Sequence, residues 1–474
     1  MWRSVNCGLV LSRLEIVIKS KGEIMNKRTK RFVAVMITAA SVLSSASIAK
    51  AEDVTGGGAS FPVQFLTPAI AEFNKTYGHN LTYTSTGSGT GKKNFKSGTF
   101  KFAGTDSAVG SADLPTFGWT YIPYVAGAIA VAYRLDELGG ATLSLSPGTI
   151  NGIFGGTVEK WNDPSIANDI KTNPTWANQK KKSDVKGATA LWENTSTTSA
   201  KVTVSMLPAT LKSNKGKKIE WYDDTTKKVL KSLTVASKAE VNMTSNVKPT
   251  DTFSIKVGGK TIATFKQIKV TLPDKAIQVV YRADTSGTTN NFCQYMKGAV
   301  NPDWVINDAF QSCVPGGVTK YGSRFVGQPQ NNNQANYIAD TNGAIGYAEV
   351  AYVTDPTRAA KGIRAANIRN AAGAFVAPTA AGYNSHLAGG VQDEKGLIAF
   401  DWKQTTNKSA YPLGAVTYGL CQTSADAKNK VTAQFFQWLL TDFGPKNAEA
   451  LGYTPLLGAS AAKGVELAKK CGAG

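Results

Sequence analysis

Three times along this chain a run of strand character ends in a loop of glycines and hydroxyl residues, and each loop leads into a segment of helical character. The loops are Gly58-Ala59-Ser60-Phe61, Gly87-Ser88-Gly89-Thr90-Gly91 and Asp284-Thr285-Ser286-Gly287-Thr288. Strand, glycine loop and helix in recurring order are the pattern of an α/β domain. At 474 residues the chain exceeds what one undivided core normally holds, so two domains are expected, with room for an inserted third. A hydrophobic share of 42% argues against wholesale disorder.

The spacing of apolar residues fills in the pattern. Phe65, Leu66, Ile70 and Phe73 recur at helical intervals after Ser60 and Pro62, which predicts a helix with Pro62 in its first turn, ending near Tyr77-Gly78. Residues 81–84 alternate like a strand, 92–96 read as a second helix, and 102–106 read as a short strand delivering Asp106 to a loop. The near-continuous apolar run 124–133 reads as central sheet and as the crossover between lobes. Residues 150–154 and 159–164 suggest a helix and its closing turn. From about 171 to 270 the composition changes to threonine-rich alternating runs, such as 201–206 and 253–257, separated by lysine-rich turns such as 215–218. Such alternation predicts a β-rich subdomain or a surface insertion. The earlier pattern resumes with a strand over 277–281, a helix from Asn290, a tight turn feeding a strand at 343–347, and helices over 424–441 and 461–470. Two α/β lobes follow: 52–134 as the first part of lobe 1, 135–350 as lobe 2 with the insertion, and 351–474 returning to lobe 1.

Residues 1–51 read as an upstream extension and a secretory signal. From Met25 a basic lead is followed by an apolar segment over 32–43 and an Ala49-Lys50-Ala51 cleavage site. Export to the periplasm or the cell exterior is therefore expected. This segment carries nine basic and two acidic residues, so +13 of the net +20 belongs to the rest of the chain. That excess is mostly dispersed lysine, which favours solubility and anionic solutes over nucleic acid. Apart from Cys7, the cysteines are Cys293, Cys313, Cys421 and Cys471. In an oxidising compartment they can form two bridges in three pairings, and local spacing favours Cys293 with Cys313 and Cys421 with Cys471. They lack metal-ligand spacing, and with only His79 and His386 in the chain no metal site or cofactor is expected.

The three loops share one chemical property. A helix start exposes N–H groups and the positive end of its dipole, hydroxyls add donors, and glycine lets the backbone approach an oxyanion. Each loop alone is equally explained as a helix cap. Arg282 beside Asp284 strengthens the anion reading, because a guanidinium offers two-pronged contact and an acidic neighbour can orient it.

With those motifs in order, the chain resembles the phosphate-binding proteins of bacterial phosphate ABC transporters, members of the periplasmic binding protein family. The resemblance rests on Thr55-Gly-Gly-Gly-Ala-Ser-Phe-Pro62, Gly87-Ser-Gly-Thr-Gly91 ahead of Phe102-Ala-Gly-Thr-Asp106, Arg282-Ala-Asp-Thr-Ser-Gly-Thr288 and Gly343-Ala-Ile-Gly-Tyr347. It covers almost the whole chain beyond residue 51 apart from the insertion. It implies a bilobed α/β fold with phosphate in the interlobe cleft, contacted by Ser60, the Phe61 amide, Ser88, Arg282, Ser286, Gly287 and Thr288. Asp106 would accept the phosphate proton and Asp284 would hold Arg282. Ser60 stands where many relatives have threonine, and Thr285 where glycine is common. The implied partners are inorganic phosphate and the membrane permease subunits of the importer, with a monomeric receptor and no catalytic residue.

Two other readings compete. A phosphatase would need a nucleophile such as Ser88 or Ser286 with an activating base or metal pair, and no such group lies nearby in sequence. An extracellular adhesion or assembly protein would use the 171–270 strands as its interaction surface.

Overall fold

The computed structural model describes residues 51–138, 142–172, 178–179, 188–194, 200–206, 212–235, 241–247, 251–266 and 272–474. Apart from Ala51, the proposed leader lies outside the described residues. Residues Glu52–Gly474 form one compact unit. Among the described residues no helix is long and apolar enough to cross a membrane.

The frame is a nine-stranded sheet made of two halves that share one strand. In the first half Asn80–Ser85, Asp53–Gly58 and Phe102–Thr105 run parallel, with Gly414–Gln422 antiparallel beside them. In the second, Phe325–Gln328, Gln278–Arg282 and Ala344–Glu349 are parallel to one another. Trp119–Tyr133 joins the halves. Its residues 119–128 pair with Gly414–Gln422 and its residues 129–133 with Ala344–Glu349, antiparallel in both cases. All but Trp119 of its 15 residues are buried, which explains why it reads as an unbroken apolar run: a strand covered on both faces has no solvent side to alternate with. The fold is therefore the bilobed α/β architecture expected from the sequence, with the crossover strand beginning five residues earlier than the apolar run.

Helix boundaries follow local chemistry. Val63–Tyr77 buries Phe65, Leu66, Ala69 and Phe73 on one face and ends at Gly78, whose φ of 71° lets its N–H close on the Asn74 carbonyl. Pro62 is the capping residue rather than the first helical one, and no side chain caps this end, which leaves the Ser60 hydroxyl for other work. The helix expected over 92–96 runs over Ser88–Lys96, and that expected from Asn290 runs over Gly287–Tyr295, capped by the Ser286 side chain. In both, the glycine and hydroxyl loop is itself the first turn. Residues 147–154 form the expected helix, but Pro164 opens another helix, Pro164–Thr172, instead of closing a turn.

The 171–270 region is a subdomain with its own core. Two four-stranded antiparallel sheets are ordered Lys228–Thr234, Lys218–Asp223, Thr252–Val257, Lys260–Lys266 and Val241–Val247, Ala200–Met206, Ala188–Asn194, Asn178–Gln179. Val204, Met206 and Met243 of one sheet cluster with Ile219, Trp221, Phe253 and Ile255 of the other. That cluster is separate from the main core.

After the last strand of the second half the chain stays there for a while. Arg364–Ala365 pairs with Tyr133 and Ala132, and Asn367–Arg369 pairs with Ser144–Leu145. Cys293 is bridged to Cys313, and Cys421 to Cys471, with Cα atoms 6.0 and 5.8 Å apart; this is the pairing that local spacing favoured.

Candidate functional site

The loops at the ends of the strands in the two halves meet face to face. From the first half come Ser60 and Phe61 after Asp53–Gly58, Ser88 opening its helix, and Asp106 after Phe102–Thr105. From the second come Arg282 at the end of Gln278–Arg282, Asp284 just beyond it, and Ser286, Gly287 and Thr288 at the cap and first turn of their helix. Ser60, Phe61, Ser88, Asp106, Arg282, Ser286 and Thr288 are all buried. Every residue singled out from sequence for the anion site therefore lies in this one region.

Asp106 ties the halves together. Its Oδ1 accepts a hydrogen bond from Thr417 Oγ1 at 2.8 Å, and its Oδ2 a longer one from Thr288 Oγ1 at 3.4 Å. Its own N–H donates to Ser88 Oγ at 3.2 Å, which leaves the Ser88 proton free to point elsewhere. Burial pushes the Asp106 carboxyl up to about 7, even though the hydrogen bond from Thr417, the Arg282 charge and the hydrogen bond from Thr288 all pull the other way.

Arg282 is held from behind. Its Nε donates to Asp284 Oδ1 at 2.7 Å and one terminal nitrogen to Oδ2 at 2.5 Å. This two-pronged grip fixes the plane of the guanidinium and leaves its other terminal nitrogen, Nη1, 3.3 Å from the Asn331 side-chain amide. Burial alone would raise the Asp284 carboxyl, but the hydrogen bond and charge of Arg282 outweigh it and hold the group below the usual carboxylate range.

The Ser286 hydroxyl accepts the Thr289 N–H at 3.2 Å, so its cap role still leaves a proton to donate. Gly287 is there for closeness: a Cβ on it would sit 2.7 Å from Asp106 Cβ and 2.8 Å from the Asp106 nitrogen. At Gly87 (φ 84°) a Cβ would meet Asp284 Oδ2 at 2.5 Å. The region thus presents hydroxyls, backbone N–H groups and one guanidinium around the buried carboxyl of Asp106. Such a set can hold an oxyanion that carries a proton.

Sequence reasoning missed Thr417, Asn331, and the pair of Asp308 with Lys92. Thr417 sits mid-strand, with nothing local to mark it. Asn331, in a run of amides opening the helix Gln330–Asp340, has its backbone N–H and side chain against Ser60 Oγ, both at 3.1 Å. Asp308 accepts from Lys92 Nζ at 2.8 Å, from Ser107 Oγ at 3.2 Å and from Asn290 at 2.8 Å, forming a partly buried ion pair between the halves. Their partners are some 15 to more than 300 positions away in the chain, so no motif spacing could reveal them.

Among the described residues no cluster of three or more His, Cys, Asp or Glu could hold a metal ion. Neither histidine reaches the site: His79 accepts from the Glu52 N–H, and His386 lies against Phe400 and Trp402.

A sequence profile of the PBP superfamily domain matches residues 44–251 and 243–442. The phosphate-binding protein PstS of Xylella fastidiosa is 24% identical over 416 residues, 87% of this chain and 84% of that protein. Alkaline phosphatase L of Pseudomonas aeruginosa is 31% identical over 150 residues, only 28% of this chain and 38% of that protein. Among solved structures, the high affinity periplasmic phosphate-binding protein PfluDING bound with phosphate superposes with a TM-score of 0.54 at 17% identity, covering 86% of this chain and 92% of that one. At that identity the likeness is one of fold.

Proposed function

Because this chain belongs to the PBP superfamily, we propose that it is an exported, non-catalytic receptor that captures inorganic phosphate between its lobes and delivers it to the membrane subunits of an ABC importer. The observation that carries the reading is the buried carboxyl of Asp106, set among donors. A carboxylate in an anion pocket repels most guests, but a P–OH can donate to it. Fully ionised sulfate brings no proton, and stranding a buried polar group costs on the order of 2–4 kcal/mol. In this reading Ser60, the Phe61 amide, Ser88, Arg282, Ser286, Gly287 and Thr288 supply the donors, and Asp284 orients Arg282.

The lobes would be 52–134 with the C-terminal part, and 135 to about 376. In this reading the return comes after about 376, a proposal supported by the pairing of Arg364–Ala365 with Tyr133 and Ala132 of the joining strand. The phosphatase reading has little to stand on: the Ser88 and Ser286 oxygens accept from backbone N–H groups, and both histidines are engaged elsewhere.

Calorimetry on anion-stripped protein tests the proposal. Phosphate should bind saturably at pH 8 and sulfate weakly or not at all. Arg282→Ala should lower phosphate affinity by about 100-fold, the cost of losing a charged donor from a buried site. Equal uptake of both anions, or of neither, would overturn the assignment.

A further inference from the structure

Beyond residue 51 the chain carries a net charge of +13, and +12 of it falls between residues 171 and 270. That stretch has nineteen lysines, no arginine and seven acidic residues, which leaves +1 for both lobes together. The β-rich subdomain is therefore the basic part of an otherwise nearly neutral protein.

The structure separates the signs further. Nine of these lysines have described side chains, and all but Lys256 are exposed, whereas none of the four acidic residues described there is. Asp223 and Asp251 are buried. Asp223 accepts the N–H groups of Thr225 and Thr226 at 2.8 and 3.0 Å, Asp224 accepts from Ser254 Oγ, and Glu220 is paired with Lys218 at 2.7 Å. The acids serve turns and contacts inside the subdomain, and the face left to solvent is positive.

Lysines gather along one edge. Lys228–Thr234 is the outer strand of its sheet, with five of its seven residues exposed. Lys227 and Lys228 stand at its start and Lys231 near its middle, Lys218 lies opposite Thr234, and the Lys217 carbonyl accepts the Val235 N–H. Five positive side chains thus follow an edge about 20 Å long, and Val229 among them is 48% exposed. Lys227 adopts φ 59°, where glycine or asparagine would sit at lower cost, so a charge is kept there against the preference of the backbone. Lysine on an edge strand discourages pairing between copies. That role calls for charge on the edge alone, and here the whole subdomain is biased.

The chemistry of the patch selects its partner. Lysine without arginine gives diffuse positive charge on flexible stems and no two-pronged fork. Of the described aromatic side chains, Trp221 and Phe253 are buried and Tyr222 lies beneath Lys256 Nζ, 3.2 Å from the ring centre, so none is offered for stacking on bases. A row of lysines with one apolar side chain among them matches a plane of anionic headgroups. We propose that the 171–270 subdomain is an electrostatic anchor that holds the protein against an anionic lipid membrane through the edge Lys228–Thr234 and the lysines beside it. The anchor is independent of the anion site; in the phosphate reading it keeps the receptor close to the importer that it serves.

Vesicle flotation of residues 52–474, the compact unit, tests the assignment. At about 50 mM salt the protein should bind phosphatidylcholine vesicles containing about 30% phosphatidylglycerol and ignore vesicles of phosphatidylcholine alone, and binding should fall at least about tenfold at about 300 mM. Lys227→Gln, Lys228→Gln and Lys231→Gln together should weaken it about 100-fold, at roughly fivefold for each lysine, with the melting temperature moved by less than about 2 °C. Lys297→Gln, Lys320→Gln and Lys408→Gln, which neutralise exposed lysines of the lobes, should together change it by less than about threefold. No binding to the anionic vesicles, equal binding to both kinds, or equal loss in the two triple variants overturns the assignment. Tighter capture by a single-stranded DNA oligomer at the same phosphate concentration overturns it too, because the partner would then be a soluble polyanion.

Discussion

In the proposed phosphate reading Asp106 is the residue on which selectivity turns, and its chemistry gives a pH signature. With its carboxyl pushed up to about 7 by burial, it is ionised above that pH and neutral below. The ionised form refuses sulfate and accepts from a P–OH; the neutral form can donate to either anion. Preference for phosphate over sulfate should therefore grow as pH rises through about 7, and Asp106→Asn should flatten that dependence, as competition binding at pH 5.5 and 8.5 would read out. The stability sign follows from the same shift. A carboxyl raised in the folded state stabilises the fold at low pH and loses that contribution as pH rises through about 7. Anion-stripped Asp106→Asn should consequently be more stable than the unsubstituted protein at pH 8, by on the order of 2–4 kcal/mol, and by less at pH 5, checked by denaturant melts. At this scale the sequence was legible where chemistry is local. The hydroxyl and glycine loops and the Arg282–Asp284 pair can be read from neighbouring letters, and they come together in the structure. Thr417, Asn331 and Asp308 cannot, because what defines each is a contact across the fold.

Among the elements, the two helices that open on the site show why boundaries read from periodicity came out late. Apolar spacing begins only after the glycine and hydroxyl turns, yet those turns already have helical backbone, as Ser88–Lys96 and Gly287–Tyr295 show. The residues that best serve an anion are poor at announcing a helix. The 178–266 strands present the opposite case: period-two alternation was plain, and it became two sheets around a private core. A unit that buries its own apolar residues contributes little to the rest of the molecule. Replacing residues 173–271 with a short flexible linker should leave phosphate affinity within about twofold, as calorimetry on the shortened protein would show. A larger loss would mean that the subdomain supports the cleft.

Across the whole molecule, the halves are joined by the long strand Trp119–Tyr133 and clasped by Lys92 and Asp308. Lys92 is nearly buried, and its 2.8 Å contact with Asp308 crosses between halves. Removing Asp308 leaves the buried Lys92 charge uncompensated, which costs less than the ~3–5 kcal/mol of a fully buried pair because Asp308 is only half-buried. Since that cost falls on the closed arrangement, Asp308→Asn should reduce phosphate affinity by at least about tenfold and enlarge the radius of gyration in solution scattering, without loss of helix signal. Unchanged affinity would mean that the pair is not part of closure. The bilobed plan was evident from repetition of strand, loop and helix on either side of the subdomain. The short pairings of Arg364–Ala365 and Asn367–Arg369 were not, since two- and three-residue strands carry no periodic signal.

If the protein serves an importer as proposed, the absence of a side chain at Gly287 has a consequence for traffic at the membrane. One added methyl, as in Gly287→Ala, would act as a doorstop between jaws that otherwise meet at Asp106, leaving each half intact but the mouth ajar. Such a receptor should still fold and export, yet take up phosphate poorly and fail to stimulate the importer in reconstituted vesicles. Transport would then be gauged by the width of a single hydrogen atom on the backbone.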